Sequence, residues 1–235
     1  MGPHAGLAPL VAGTPLDRAT YALVLVHGRG GSAEGMLPIA KAAKATDAAL
    51  VAPVALGNSW YPKRFLDPRE QNEPWLSSAL ASVGAAVDQV RAAGVPSERI
   101  VLVGFSQGAC LMLEYATMAA TSNVRFGGVA ALAGGLIGDP AAPRSDSGSL
   151  GGTPVLLACG DADGHIPEAI VRSSAEVFRT LGASVDLRIY PGIGHDVVGD
   201  EPRYRGRHRL RERWRQQCCG RWGNPGCRRR SGQRR

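Results

Sequence analysis

Short apolar runs, each ended by turn-forming residues, alternate along this chain with longer segments of helical period. This alternation is typical of a parallel sheet covered by helices on both faces. The predicted strands are residues 22–26, 49–54, 100–103, 128–132, 155–159 and 185–190. Most are hydrophobic throughout, as strands buried on both faces require. In the last one Val185, Leu187 and Ile189 alternate with charged residues, which predicts a place near an edge of the sheet.

Three longer segments carry the helical pattern. Residues 74–93 place their large apolar side chains on one face, and Gly94 and Pro96 follow as helix-ending residues. Residues 107–120 are apolar on nearly every side, so this predicted helix belongs in the interior against the sheet. Residues 167–181 form the third predicted helix, which Gly182 ends.

The charge of the chain is unevenly distributed. Its 235 residues carry a formal net charge of +7, but residues 201–235 alone contain 13 arginines and 2 glutamates. Residues 1–200 therefore hold 14 basic and 18 acidic side chains and are mildly acidic. We expect one α/β domain over residues 1–200 and a separate basic tail over residues 201–235.

A G-x-S-x-G motif links a predicted strand to the interior helix. Gly104, Ser106 and Gly108 form it, and the two glycines have no side chain to collide where the chain reverses direction. A serine held on such a strained turn exposes its hydroxyl. We therefore interpret Ser106 as a nucleophile, which needs a base to take its proton and a carboxylate to orient that base.

The base and the carboxylate are predicted downstream, after later strands. Asp163 follows the strand at 155–159, and His195 follows the strand at 185–190, so both fall at the carboxyl ends of parallel strands. Asp161 is the alternative acid, although it lies closer to the strand end. His165 is only two residues from Asp163 and is therefore the poorer candidate for a base that bridges to Ser106.

The negative oxygen of a tetrahedral intermediate needs two hydrogen-bond donors, an arrangement called an oxyanion hole. One predicted donor is the backbone N–H of Gln107, at the start of a helix. The other is the backbone N–H of Arg29, in the glycine-rich loop after the first predicted strand. For His27 in the same loop we favour a structural hydrogen bond over catalysis.

Four motifs together resemble one family. "HGRGGS", "GFSQG", "GDADGHIP" and "PGIGHD" are similar to the phospholipase/carboxylesterase family of α/β-hydrolases, which includes bacterial carboxylesterases and acyl-protein thioesterases. "NSWYPKRFL" and "QNEPWLSSAL" resemble a bacterial branch of that family. The similarity extends from about residue 10 to residue 200.

The resemblance implies an α/β-hydrolase fold and cleavage of small carboxylic esters or thioesters without cofactor or metal. Ser106, Asp163 and His195 would take the triad positions, and Arg29 and Gln107 the oxyanion positions. A carboxylesterase is the favoured activity, and a thioesterase or lysophospholipase with the same residues is the alternative. Gly164 departs from the family, because many relatives have proline after the acid.

Four aromatic residues cluster within 16 positions around the polar, proline-containing stretch before the first long helix: Trp60, Tyr61, Phe65 and Trp75. Aromatic side chains are more often core residues than pocket walls, yet a long loop of this kind is often functional. We predict that some of the four line the acyl or alcohol pocket, so that substitution of Trp60 or Phe65 changes the preferred ester chain length.

Other features exclude several classes of protein. Cys110 and Cys159 lie in apolar segments and are expected to be buried free thiols of a reduced, cytoplasmic protein. The chain shows no export signal and no uncharged apolar stretch of roughly 18 residues, so no membrane span is expected. His4 and His208, in the terminal segments, are expected to be solvated.

The tail departs from the family, whose members close with a helix that packs on the sheet. Arginine occupies every second position from Arg203 to Arg215, and no face is apolar enough to bury a helix. A catalytically impaired nucleic-acid-binding protein is the alternative from another class, because such a run could hold phosphates. We favour a reading-frame change near codon 200 and expect reduced stability of the chain as written.

Overall fold

A seven-stranded, mostly parallel sheet is the centre of the fold. The computed structural model describes residues 2–197. The strand order is β1-β3-β2-β4-β5-β6-β7, and within these residues only β1 is antiparallel to its neighbour. The strands are β1 Leu10–Gly13, β2 Ala22–Val26, β3 Ala49–Ala52, β4 Ile100–Phe105, β5 Gly128–Leu132, β6 Pro154–Gly160 and β7 Ser184–Tyr190.

Helices connect most of the parallel strands, which confirms the predicted α/β class. The α-helices are α1 Leu37–Ala42, α2 Trp75–Ala92, α3 Gln107–Thr121 and α4 Glu168–Thr180. Short 3-10 helices lie at Glu34–Met36, Leu56–Asn58, Arg69–Asn72 and Ser97–Arg99. The three predicted helices are present within one residue of their expected ends, whereas β1 and α1 were not predicted.

The core lies between the central strands and α2 and α3. All five residues of β2 are buried, and α3 buries 11 of its 15 residues, as expected for segments apolar on nearly every side. Leu111, Met112 and Leu113 are fully buried. At about 25 cal/mol per Å² of apolar surface, this burial is the main favourable term in folding. It gives the start of α3 a rigid support.

The end of the described sheet is less well covered. Strand β7 pairs with β6 and has no second neighbour among residues 2–197. Its residues are partly exposed, and Val185, Leu187 and Ile189 pack only at the margin of the core. The alternating pattern of this strand therefore correctly predicted an edge position.

His4 is buried, and the prediction that it is solvated was wrong. The side chain is 1% exposed, its Nε2 lies 2.8 Å from the carbonyl of Trp60, and its Nδ1 accepts a hydrogen bond from the N–H of Leu56. Because Nδ1 accepts, Nε2 carries the proton. The start of the chain folds back onto the loop before α2, a contact that no local pattern reveals. His208 lies outside the described residues.

Candidate active site

Ser106 occupies a strained turn between β4 and α3. Its φ of 52° and ψ of −119° are unusual for a residue with a side chain. The turn is held by hydrogen bonds from the N–H of Ser106 to the carbonyl of Leu132 and from the N–H of Cys110 to the carbonyl of Ser106. This geometry belongs to the strand-to-helix turn that the motif predicted.

The two glycines of the motif are required by close backbone contacts. A Cβ atom on Gly104 would lie 2.4 Å from the carbonyl oxygen of Gly108. A Cβ on Gly108 would lie 2.2 Å from the carbonyl oxygen of Val26, at the end of β2. Glycine at these positions lets α3 begin directly against β4 and β2.

His195 joins the serine to a carboxylate. Its Nε2 lies 2.8 Å from Oγ of Ser106, and its Nδ1 lies 2.8 Å from Oδ2 of Asp163. A carboxylate only accepts, so Nδ1 carries a proton and Nε2 is left to accept from the serine hydroxyl. The structure thus brings together three side chains that the sequence separates by up to 89 positions.

The carboxylate of Asp163 is buried and hydrogen-bonded on both oxygens. Its side chain is 0% exposed, and Oδ1 accepts from the N–H groups of His165 at 2.8 Å and Ile166 at 3.0 Å. Burial raises the pKa of Asp163, but the hydrogen bond from His195 and those from Ile166 and His165 outweigh it. The net effect lowers the pKa of Asp163, so the carboxylate stays charged at neutral pH.

Asp161 has a different task in the same loop. Its Oδ1 accepts a hydrogen bond of 2.7 Å from the N–H of Gly192, in the loop that carries His195. The N–H of Ala162 also donates to the carbonyl of Ile193 at 3.0 Å. These bonds join the loop after β6 to the loop after β7. Asp161 therefore holds the two loops together and does not contact His195.

The two predicted oxyanion donors belong to segments that adjoin Ser106. Gln107 is the first residue of α3, so its N–H has no acceptor within the helix. The loop that carries Arg29 lies against the serine turn, since a Cβ on Gly28 would be 3.1 Å from Cβ of Ser106. In that loop Nδ1 of His27 lies 2.7 Å from the carbonyl of Gly28, which is the structural hydrogen bond expected for His27.

The four aromatic residues pack mainly in the core. Trp60 is 0% exposed, Tyr61 1% and Phe65 8%, while Trp75 packs partly buried against the same cluster. The indole N–H of Trp60 donates to the carbonyl of His27 at 2.8 Å. These contacts favour a supporting role behind the loops of the site, and a pocket role for any of the four stays a prediction.

Three neighbours of His195 and Asp163 were not predicted. The Sγ atom of Cys159 lies 3.5 Å from Oδ2 of Asp163, and burial together with the Asp163 charge raises the pKa of the Cys159 thiol to about 12. The rings of His165 and Phe105 lie 4.8 Å and 5.3 Å from the His195 ring. The continuous apolar run of β6 indicates that Cys159 is buried, but not which loop it faces.

Three further observations concern residues 2–197 alone. In this part of the chain no group of three or more His, Cys, Asp or Glu side chains is arranged to hold a metal ion. None of its helices has the length and apolar composition needed to cross a membrane. Cys110 and Cys159 are both free and buried, as predicted.

Comparison with known proteins gives a consistent result. Residues 10–203 match the family model described as Phospholipase/Carboxylesterase. A solved phospholipase/carboxylesterase from Dyadobacter fermentans is 42% identical, with a TM-score of 0.80 over 85% of this chain and 94% of that chain. A probable carboxylesterase of Oryza sativa subsp. japonica is 25% identical over 85% of this chain and 82% of its own length. Acyl-protein thioesterase 1 of Gibberella zeae is 35% identical over 46% of each chain.

Proposed function

The chain belongs to the phospholipase/carboxylesterase family of α/β-hydrolases, and from this premise we propose that it is a serine esterase that cleaves small carboxylic esters. The observation that carries the proposal is the hydrogen-bonded chain from Ser106 through His195 to Asp163. The names of the rice and Dyadobacter relatives support the same reaction class.

The first half of the proposed reaction is acylation. Nε2 of His195 takes the hydroxyl proton as Oγ of Ser106 attacks the ester carbonyl, and a tetrahedral intermediate with a negative oxygen forms. When the intermediate collapses, the bond to the alcohol oxygen breaks and His195 gives its proton to that oxygen. The acyl group remains on Ser106, and Asp163 stabilises the imidazolium through the bond at Nδ1.

The second half is deacylation, in which water replaces the serine. His195 accepts a proton from water as the water oxygen attacks the acyl carbonyl. The second tetrahedral intermediate expels Ser106, which regains a proton from His195, and the carboxylic acid leaves. Both halves place negative charge at the same position, where the N–H groups of Arg29 and Gln107 would stabilise it.

A thioesterase is the second candidate, since the Gibberella relative carries that name. The same residues would cleave a thioester, with a thiol leaving in place of an alcohol. The ratio of kcat/KM for matched ester and thioester substrates of one acyl chain decides between the two activities.

Labelling with a fluorophosphonate tests the proposal without a choice of substrate. The intact protein should react at Ser106, identified by peptide mapping, and should hydrolyse a short p-nitrophenyl ester. Ser106→Ala should abolish both reactions, while the exposed control Ser173→Ala should retain them. Labelling at another residue, or hydrolysis that survives in Ser106→Ala, would overturn the proposal.

A further inference from the structure

One segment of the loop before α2 contacts both parts of the chain that carry the proposed oxyanion donors, the start of α3 and the loop after β2. This segment, residues 58–63, is here called the bridging segment. The bridging segment contributes mostly backbone groups to these contacts, whereas its partners include the side chains of Arg29 and Gln107. Neither side chain has a task in the proposed reaction, for which only their N–H groups are needed.

The side chain of Gln107 makes two buried hydrogen bonds to the bridging segment. The N–H of Trp60 donates to Oε1 at 2.9 Å, and Nε2 donates to the carbonyl of Tyr61 at 2.8 Å. Gln107 is 6% exposed, so these bonds replace water on both sides. The glutamine side chain is long enough to reach both backbone groups, and its amide offers the one donor and the one acceptor that they need.

The side chain of Arg29 makes the matching contact from the loop after β2. Nη1 donates to the carbonyl of Pro62 at 3.0 Å, and Nη2 donates to the carbonyl of Lys63 at 2.6 Å. The guanidinium carbon also lies 6.0 Å from the centre of the Tyr61 ring. These contacts are exposed, so each should contribute less than the buried pair at Gln107.

Two more bonds attach the bridging segment to the loop of Arg29. The N–H of Gly30 donates to the carbonyl of Asn58 at 2.7 Å, and the indole of Trp60 donates to the carbonyl of His27. The bridging segment is therefore bonded to the residues around one proposed donor and to the side chain that carries the other.

We infer that Gln107 and Arg29 are positioning residues, whose side chains fix the distance between their own N–H groups through the bridging segment. This inference rests on the proposed function. Oxyanion donors act only when they lie about 2.7–3.1 Å from the developing charge. A small displacement therefore reduces the stabilisation of the transition state more than it reduces binding of the ester.

Removal of the Gln107 side-chain bonds is the main test. Gln107→Met keeps a side chain of similar length and keeps the backbone N–H, but loses the donor and the acceptor. We expect kcat for a p-nitrophenyl ester to fall about tenfold or more, with KM changed less than about twofold. The inhibition constant of a trifluoromethyl ketone, which forms a tetrahedral adduct with serine, should rise in parallel with the loss in kcat/KM.

Arg29 supplies a second test on an exposed residue that should not prevent folding. Arg29→Met should lower kcat by a smaller factor than Gln107→Met, and Arg29→Lys should restore part of it because one donor remains. Both side chains act through the bridging segment. The double variant should therefore lose less than the product of the two single losses.

The controls are chosen from the same elements or the same residue type. Thr117→Val removes a buried hydroxyl from α3, and Arg172→Met removes an exposed ion pair with Glu168 on α4. Both should keep kcat and the inhibition constant of the intact protein. Circular dichroism at the assay temperature shows which variants are folded.

The outcomes separate this inference from the function on which it rests. An intact protein without ester hydrolysis or fluorophosphonate labelling would overturn both. An active intact protein whose folded Gln107→Met and Arg29→Met variants retain its kcat and its inhibition constant would overturn the positioning role alone. If Gln107→Met does not fold, unchanged kinetics in Arg29→Met decide against the inference, and a selective loss of kcat that Arg29→Lys restores supports it.

Discussion

Asp161 and Asp163 are two residues apart, yet their surroundings give them separate tasks. The side chain of Asp163 is buried, accepts two backbone N–H groups and contacts His195. Asp161 is exposed and accepts from Gly192 across two loops. A carboxylate that must orient a histidine has to be held on its other oxygen, and only Asp163 has that support.

Replacement of Asp163 by asparagine keeps the shape of the side chain but removes its charge and changes the tautomer of His195. In Asp163→Asn the amide can donate to Nδ1 of His195, which moves the histidine proton to Nε2 and leaves no acceptor for the serine hydroxyl. We expect kcat to fall by about 10³–10⁴-fold, measured with a p-nitrophenyl ester. Asp161→Asn is the matched control and should stay within a few-fold of the intact protein. Similar losses in both variants would contradict the assignment.

The lowered pKa of Asp163 also predicts how stability depends on pH. The folded state holds the charged form more tightly than the unfolded state does, where the pKa is about 3.9. Its contribution is therefore complete above that value and is lost as pH falls through the lower folded value. Urea unfolding of the intact protein and Asp163→Asn from pH 7 to 3 should show a stability difference that narrows on acidification. A constant difference would exclude this linkage.

At the level of single residues, the sequence predicts which side chains meet but not how they are supported. Ser106 is predicted from the two glycines around it. Asp163 and His195 are predicted from their positions after parallel strands, whose carboxyl ends share one edge of the sheet. The side-chain roles of Gln107 and Arg29 depend on backbone groups about 30 to 50 positions away, which leave no local pattern. His4 was placed wrongly for the same reason.

At the level of elements, predictability depends on where the stabilising contacts come from. Strands β2 and β5 have the predicted bounds because continuous apolar runs can only be buried. Strand β1 has four residues, and α1 has six, so neither is long enough to show a recognisable hydrophobic periodicity. Their stability comes from pairing with β3 and from packing, which are tertiary contacts.

The contact between β2 and α3 predicts a large effect for one added methyl group. Gly108→Ala would place Cβ against the backbone of Val26, which cannot move without breaking the sheet. We expect a loss of about 3 kcal/mol or more in the free energy of unfolding, measured with urea.

Gly84→Ala in α2 is the matched control for this change. Its added Cβ would lie 3.6 Å from the Tyr115 ring, an ordinary contact, so helix propensity should stabilise the protein by about 0.5–1 kcal/mol. Equal effects of the two substitutions would show that steric contact at Gly108 does not limit the fold.

At the level of the whole molecule, the tail is the feature that the family does not account for. The family match ends at residue 203, and the arginine-rich run continues to residue 235. We propose that a change of reading frame near codon 200 produced it. The other frame should then encode an amphipathic helix that covers the partly exposed residues of β7.

A direct comparison of the two translation products tests this proposal. The product of the other frame should unfold at a higher temperature than the chain as written, since apolar surface near β7 would be buried. Thermal unfolding followed by circular dichroism measures the difference. Another frame without an amphipathic helix, or equal unfolding temperatures, would refute the proposal.

The position of the histidine has a consequence for how activity fails under stress. His195 follows β7 by five residues, and β7 is an edge strand of the described sheet without a single fully buried residue. Border strands fray at a lower free-energy cost than the cooperative melting of a whole domain. Each fraying event would withdraw the proton acceptor while the serine turn stays intact. Denaturants should therefore abolish ester hydrolysis at concentrations well below those that unfold the core.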